Sequence, residues 1–259
     1  MWFDEIMDDC KEAILTVRKH KGIFVPIFIK LALSIALVIY VIIMAFTVAG
    51  VTAINFSDGF DEVTQLIGLL APFAVIIFIS YLIIVVFNCL MEVGSLNLYK
   101  AALSDTKPTA SIFLEGIKRY FFRVFGGTLL IHLITLILSP LLIALFFIYL
   151  FTVGILSSGW GMIFFTVFFG VYFSVWTSIA VIEDMPAIEA IKAGFRLGKR
   201  KFKSFFFIIL SFTILLNYGV VAFGLPVTIL GGWFIAGIIN TYFRVVIMKM
   251  YNRYKEEIQ

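Results

Sequence analysis

Residues 204–243 read SFFFIILSFTILLNYGVVAFGLPVTILGGWFIAGIINTYF, without an Asp, Glu, Lys or Arg. A membrane-spanning helix needs about 20 mainly apolar residues, so this stretch has room for two spans. Gly224-Leu225-Pro226 stands near its middle and predicts a tight antiparallel turn. Lys203 precedes the stretch and Arg244 follows it. Because Lys and Arg in short loops stay in the cytoplasm, both ends of this hairpin are predicted to be cytoplasmic.

A pair of predicted spans with basic residues at both ends occurs three times along the chain. All 20 Lys and Arg residues fall in four clusters, and the apolar stretches between them carry none. The sequence therefore predicts a multi-pass protein of the cell membrane with six spans and with its N and C termini in the cytoplasm. The predicted spans are about 24–54, 66–91, 122–151, 160–182, 204–223 and 226–248. The predicted outside loops, about 55–65, 151–160 and 224–226, carry only Asp58, Asp61 and Glu62 as charges.

Composition excludes the competing classes of protein. The chain is 62% hydrophobic and 14% charged, with a mean hydropathy of +1.09. It could not cover itself with a water-soluble surface. The net charge of +4 would elsewhere favour nucleic acid as the partner, but here the basic residues flank the predicted spans. Anionic lipid headgroups are therefore the expected counter-charge, and no nucleic-acid partner is expected.

A short amphipathic segment precedes each odd-numbered span, at about 2–18, 109–121 and 186–203. The third segment opens at Asp184-Met185-Pro186, a helix-start signal. Two interpretations of these segments remain open: interfacial packing that orients the protein, or binding of a phosphate-bearing lipid or an acidic partner surface. The candidate binding residues recur every three or four positions in the third segment, and they are Lys192, Arg196, Lys199 and Lys203.

These segments also indicate an internal repeat. Each unit is an amphipathic helix followed by a transmembrane hairpin, within a single membrane domain that covers residues 1–259. The three repeats are predicted at about 1–91, 92–182 and 183–259. Because each unit has an even number of spans, the copies share one orientation, which implies a pseudo-threefold axis along the membrane normal. The predicted fold class is an all-α integral membrane protein.

Five segments between residues 90 and 210 resemble bacterial and archaeal six-span proteins related to the membrane domain of glycerophosphodiester phosphodiesterases. They are 92–99 (EVGSLNLY), 107–109 (KPT), 113–121 (FLEGIKRYF), 181–192 (VIEDMPAIEAIK) and 202–205 (FKSF). The chain departs from that pattern at Gly194, where the family commonly has serine. It also carries no phosphodiesterase domain. The resemblance therefore implies a six-span fold and no reaction.

Polar residues inside predicted spans are the remaining candidates for chemistry, because ionisable groups are costly there and usually face a bundle interior or a cavity. Each even-numbered span ends in a charge. We expect these residues to form a cytoplasmic vestibule in which Arg244 neutralises Glu92 or Glu183. Three interpretations of this set of residues remain open: an ion pair at the membrane interface, a substrate or headgroup site, or contact with water. The predicted vestibule residues are Asn88, Glu92, Glu183, Asn240 and Arg244.

His132 and Asn217 are further polar residues of predicted spans, and we interpret them as hydrogen-bonding groups between helices. The chain has only two histidines and no ligand set at metal-site spacing, so no metal and no cofactor is expected. No nucleophile or phosphate-binding motif occurs either, so the chain is predicted not to be an enzyme.

Two classes of function remain. The first is a non-enzymatic membrane component that contacts anionic lipid and docks a membrane or cytosolic protein partner through its cytoplasmic amphipathic helices. The second is a transporter or flippase for a lipid or another amphiphile, which would enter through the polar vestibule. The first interpretation fits the absence of a continuous charged pathway through the predicted spans.

Overall fold

The computed structural model describes residues 2–55, 62–153, 158–224 and 229–257, and all regular structure in these ranges is helical. Two 3-10 turns, Lys21–Phe24 and Lys255–Glu257, accompany the α-helices. The helices are α1 Trp2–Lys19, α2 Val25–Asn55, α3 Glu62–Leu103, α4 Ala110–Val153, α5 Ser158–Phe173, α6 Trp176–Ile182, α7 Ala187–Arg200, α8 Phe202–Gly224 and α9 Ile229–Tyr254.

Four of the described helices are long and apolar enough to cross a membrane. Their apolar segments are Lys21–Met44, Ala74–Leu103, Ala110–Leu141 and Phe234–Tyr254. The pair α7 and α8, bent by 98°, makes a fifth candidate if it is counted as one span. The all-helical membrane fold expected from composition is therefore present in the described residues, whereas six spans remain a prediction.

Parts of the predicted outside loops lie outside the described residues. These parts are 56–61, which include Asp58 and Asp61, together with 154–157 and 225–228. The predicted turn at Gly224-Leu225-Pro226 falls largely in the last of these ranges.

The chain divides into two compact units, of which Phe28–Asn88 is one. This unit contains most of α2 and the first part of α3. It exposes large apolar side chains, including Ile43 and Ile77. Such a surface is expected where lipid rather than water covers the protein.

The other unit comprises Met1–Ile27 and Cys89–Gln259. In it α8 packs against α9 and α5, α1 packs against α9, and α6 packs against α7. Its core is centred on the C-terminal half of α9, where Val245, Ile247, Met248 and Met250 are buried. All of the charged clusters discussed below belong to this unit.

The amphipathic segments differ from one another more than the repeat predicts. The first is a separate helix, α1, as predicted. The second is not separate, because it forms the beginning of the 44-residue helix α4. Gly116, within that segment, packs closely on α3, where an added Cβ would lie 2.9 Å from the Val93 carbonyl oxygen. The segment is therefore held by helix packing as well as by its position beside the span.

The third amphipathic segment begins where it was predicted to begin. Asp184 adopts a positive φ of 55°, and Pro186 is extended and precedes α7. The segment is shorter than predicted, because α7 ends at Arg200 and Lys201 leaves helical geometry with φ −113° and ψ 33°. Lys203 thus lies beyond the bend, on α8, and does not continue the stripe of basic residues. The prediction that all four residues share one helix face is wrong for Lys203.

Predicted span 160–182 is interrupted as well. α5 ends at Phe173, and α6 begins at Trp176. The short helix α6 is almost fully buried. A tight contact holds it there, because the ring of Trp176 lies 2.6 Å from where a Cβ on Gly127 would be. The interruption places the backbone between α5 and α6 next to α9, where the site described below is formed.

Candidate functional site

Arg244 of α9 is the centre of a closed hydrogen-bonded cluster. Its Nη2 lies 2.8 Å from Glu92 Oε1, on α3. Thr177 of α6 completes the cluster, because its hydroxyl donates to the same Glu92 oxygen at 2.9 Å and accepts from Arg244 Nη1 at 3.2 Å. The side chains of Arg244 and Glu92 are only 21% and 26% exposed, so most of the guanidinium and carboxylate is shielded from solvent.

The break between α5 and α6 supplies a further acceptor. Arg244 Nη1 donates to the Ser174 carbonyl oxygen at 2.9 Å. Carbonyls at a helix end lack intrahelical donors, and a nearby cation commonly satisfies them. Arg244 therefore joins α3, α6 and α9 and also caps the end of α5. The predicted pairing of Arg244 with one of two glutamates is present, and Glu92 is the partner.

Neighbouring polar contacts extend this cluster along α3. Lys100 Nζ donates to the carbonyls of Val181 and Ile182, at 2.8 and 3.0 Å, and so caps the C-terminus of α6. Also on α3, the buried hydroxyl of Tyr99 lies 3.3 Å from Thr241 Oγ1 on α9. Neither Lys100 nor Thr177 could be predicted from the sequence, because neither belongs to a recognisable motif.

Glu183 does not join the Arg244 cluster. Its Oε1 lies 3.8 Å from Lys255 Nζ. That oxygen is buried and makes no hydrogen bond to a described residue. Of the other predicted vestibule residues, Asn88 and Asn240 have exposed side chains. The structure thus brings together two members of the predicted vestibule, Glu92 and Arg244.

Asp184 forms a second ion-pair cluster, with two arginines of α4. Arg123 Nη1 donates to its carboxylate at 2.6 Å and to its carbonyl at 2.8 Å, and Arg119 also pairs with the carboxylate. These hydrogen bonds, Arg119 first, hold the pKa of Asp184 below its usual range. The contact fixes the positive-φ turn that starts α7, so it sets the direction of that helix.

His132 and Asn217 both bond within their own helices. His132 Nδ1 lies 2.7 Å from the Thr128 carbonyl oxygen, and Asn217 Nδ2 donates to the Thr213 carbonyl at 2.8 Å. Both side chains are exposed. These contacts satisfy the polar groups locally, whereas the predicted bonds between helices stay predictions.

The exposed face of α7 carries basic residues without partners. Lys192, Arg196 and Lys199 are exposed, and no carboxylate of the described residues lies within ion-pair distance of them. Basic residues elsewhere in this unit hold the fold by pairing: Lys19 with Asp105, Arg119 and Arg123 with Asp184, Arg244 with Glu92, Lys249 with Glu12, and Arg253 with Asp9. Lys192, Arg196 and Lys199 form no such ion pair within the described residues.

Apolar side chains lie beside this basic stripe. Ile188 is 56% exposed and Phe195 is 39% exposed, while the opposite face of α7 is buried through small residues such as Gly194 and Gly198. An open groove of about 560 Å³ lies along the exposed face. It is lined by Met185, Glu189, Ile191, Lys192, Phe195 and Arg196. The groove therefore combines apolar walls with two cations and one carboxylate.

The first amphipathic helix, α1, has a similar exposed edge and a charged buried face. Phe3, Met7 and Ile14 are exposed. On the other face, Asp9 is 1% exposed and pairs with Arg253 of α9 at 2.8 Å. Burial raises the pKa of Asp9 to about 6 although Arg253 opposes the shift. Burial of Asp9 was not predicted, because acidic residues of an amphipathic helix are expected on its polar face.

Among the described residues, no group of three or more His, Cys, Asp or Glu side chains could hold a metal ion. Comparisons with protein-family models, with curated proteins and with solved structures found no match to this chain. The resemblance of residues 90–210 to the membrane domain of glycerophosphodiester phosphodiesterases therefore stays a prediction.

Proposed function

We propose that this protein is a non-enzymatic membrane component that binds the headgroup phosphate of anionic lipids through the exposed face of α7. The observation that carries this proposal is that Lys192, Arg196 and Lys199 form no ion pair with any described residue and stand beside exposed Ile188 and Phe195. Apolar and basic stripes side by side are typical of helices that lie in the headgroup region. A protein partner, membrane-bound or cytosolic, would then dock on the cytoplasmic surface that α1 and α7 provide.

The proposed arrangement in the membrane has six spans, with both termini in the cytoplasm of a cell membrane. It rests on the four basic clusters and on the four or five candidate spans of the described residues. The apolar segment Thr166–Ile182 would contribute to the fourth span and α8 to the fifth, with α7 at the membrane surface before it. The threefold repeat belongs to this proposal too, and α1 and α7 are its separate amphipathic helices.

A transporter or flippase is the second candidate. The interruption between Phe173 and Trp176 favours it, because broken helices line substrate sites in transporters. The Arg244 cluster argues against this candidate, because the guanidinium is already bonded to Glu92, Thr177 and the Ser174 carbonyl. A flux assay with labelled phospholipid in liposomes separates the two candidates. We expect no protein-dependent movement of lipid between leaflets.

The lipid-binding proposal is tested by replacing Lys192, Arg196 and Lys199 with Gln. Each basic residue near an anionic surface contributes about 1 kcal/mol, so the triple variant should bind anionic lipid roughly 100-fold more weakly at low salt. Lipid affinity is measured on protein in detergent micelles titrated with short-chain phosphatidylglycerol. The difference from the unmodified protein should shrink as salt rises.

A matched control removes the same charge elsewhere, from exposed residues that do not line the α7 groove. The control variant replaces Lys21, Lys107 and Lys118 with Gln. Its affinity should fall much less than that of the α7 variant. Equal losses in both variants would mean that net charge, and not the α7 face, attracts the lipid. Unchanged affinity in the α7 variant would contradict the proposal.

A further inference from the structure

Glu189 is the feature of the α7 groove that anionic lipid binding does not explain. It lines the groove together with Lys192 and Arg196 and is exposed. A carboxylate beside two cations weakens the attraction to a purely anionic headgroup. Glu189 and Lys192 are three residues apart, a spacing at which opposite charges often pair on a helix. Within the described residues they form no ion pair, so both charges point to the groove without a partner.

From this pattern we propose that the groove selects phospholipids whose headgroup carries a primary ammonium as well as a phosphate. Lys192 and Arg196 bind the phosphate, and Arg provides a planar donor pair that matches phosphate oxygens. Glu189, one helical turn before Lys192, accepts hydrogen bonds from the ammonium. Met185, Ile191 and Phe195 contact the glycerol backbone and the upper acyl chains. This inference rests on the proposed binding of the headgroup phosphate and extends it from anionic lipids to phospholipids in which an ammonium balances the phosphate charge.

The size and surroundings of the groove fit such a ligand. An open groove of about 560 Å³ lies within the usual range for small-molecule sites. Phe195 forms its rigid wall, because its ring stacks on Tyr172 at 5.3 Å and meets Phe173 edge to face at 5.0 Å. The apolar wall is thus held in place by α5. The charged side chains lie beside it on the same helix, whose start is fixed by Asp184.

The test compares three short-chain phospholipids that differ only in the headgroup: phosphatidylethanolamine, phosphatidylcholine and phosphatidylglycerol. Binding to the full chain in detergent is measured by native mass spectrometry with pairwise competition. The unmodified protein should prefer the ethanolamine headgroup over choline, because methylation removes the ammonium hydrogens that Glu189 accepts. Glu189→Gln should lower the preference for ethanolamine over glycerol about two- to fivefold, as for a partly exposed ion pair.

A matched control exists on α4, where Glu115 precedes Lys118 with the same spacing and is also exposed but does not line the α7 groove. Glu115→Gln should leave the headgroup preference unchanged. An unchanged preference in Glu189→Gln, or an equal change in both variants, would overturn the headgroup inference. Lipid binding itself would still depend on Lys192 and Arg196. This failure is therefore distinct from unchanged lipid affinity in the Lys192, Arg196 and Lys199 variant, which would contradict the proposed function.

Discussion

Replacing Arg244 with Gln should destabilise the protein through one partner, Glu92. In the native fold the Arg244 guanidinium contacts the Glu92 carboxylate at 2.8 Å and the Ser174 carbonyl at 2.9 Å. Arg does not lose its proton in proteins, and the Glu92 carboxylate is only 26% exposed. The variant therefore leaves a largely shielded carboxylate that, among the described residues, keeps the Thr177 hydroxyl as its donor.

The expected magnitude lies between two limits. Breaking a fully buried pair costs about 3–5 kcal/mol, and exposed pairs contribute about 0–1 kcal/mol. Because about a quarter of each side chain is exposed, we expect a coupling energy of about 2 kcal/mol between Arg244 and Glu92. Neutralising Glu92 as well should recover a large part of the loss, since no unpaired charge then remains.

A double-mutant cycle measures this coupling from the free energy of unfolding in detergent. The cycle uses Arg244→Gln, Glu92→Gln and their combination. Glu183→Gln provides the control cycle with Arg244, because the structure places Lys255 beside Glu183, at 3.8 Å. Additive effects of Arg244 and Glu92, or an equally large coupling with Glu183, would refute the assignment of the cluster.

Three further predictions address packing, pH and topology. Gly198→Ala should lower stability by about 1–2 kcal/mol, because its Cβ would lie 2.9 Å from the Val171 carbonyl oxygen; Gly126→Ala, which meets nothing within 4 Å, should be neutral or stabilising in the same thermal unfolding assay. The pKa of Asp9 is raised from 3.8 to about 6, so the docked α1 takes up a proton as the pH falls. The protonated Asp9 side chain should therefore stabilise the docked α1 at low pH, and this stabilisation should be lost as the pH rises through about 6. Hydrogen exchange of α1 should show this dependence, and Asp9→Asn should remove it. Single cysteines at positions 58 and 157 should react with an impermeant thiol reagent from outside, and those at 107, 199 and 255 only from inside; opposite labelling at any position would contradict the six-span topology.

Local signals allowed several elements to be predicted from the sequence. Asp184-Met185-Pro186 fixed the start of α7, because Pro supplies the extended residue before the first helical turn. The amphipathic pattern of residues 2–18 predicted α1. The charge of Arg244 in an apolar stretch predicted that it needs a carboxylate partner. In each case the deciding information lies within a few residues.

The features that were missed depend on contacts between distant segments. The interruption at Ser174 and Val175 has no Pro or Gly in those two residues, and Arg244 and Trp176 stabilise it from other helices. The bend at Lys201 likewise has no breaker in the sequence, so Lys203 was wrongly assigned to the α7 stripe. The partners of Asp9 and Asp184 are also remote in sequence.

If the exposed face of α7 lies among phospholipid headgroups, a headgroup-labelled phospholipid in vesicles should quench a fluorophore attached to that face. The fluorophore is attached in turn to single cysteines at Phe195 and Lys199, on that face, and at Asp105, in the exposed turn before α4. We expect strong quenching at positions 195 and 199 and weaker quenching at 105. Equal or weaker quenching on α7 would contradict this placement.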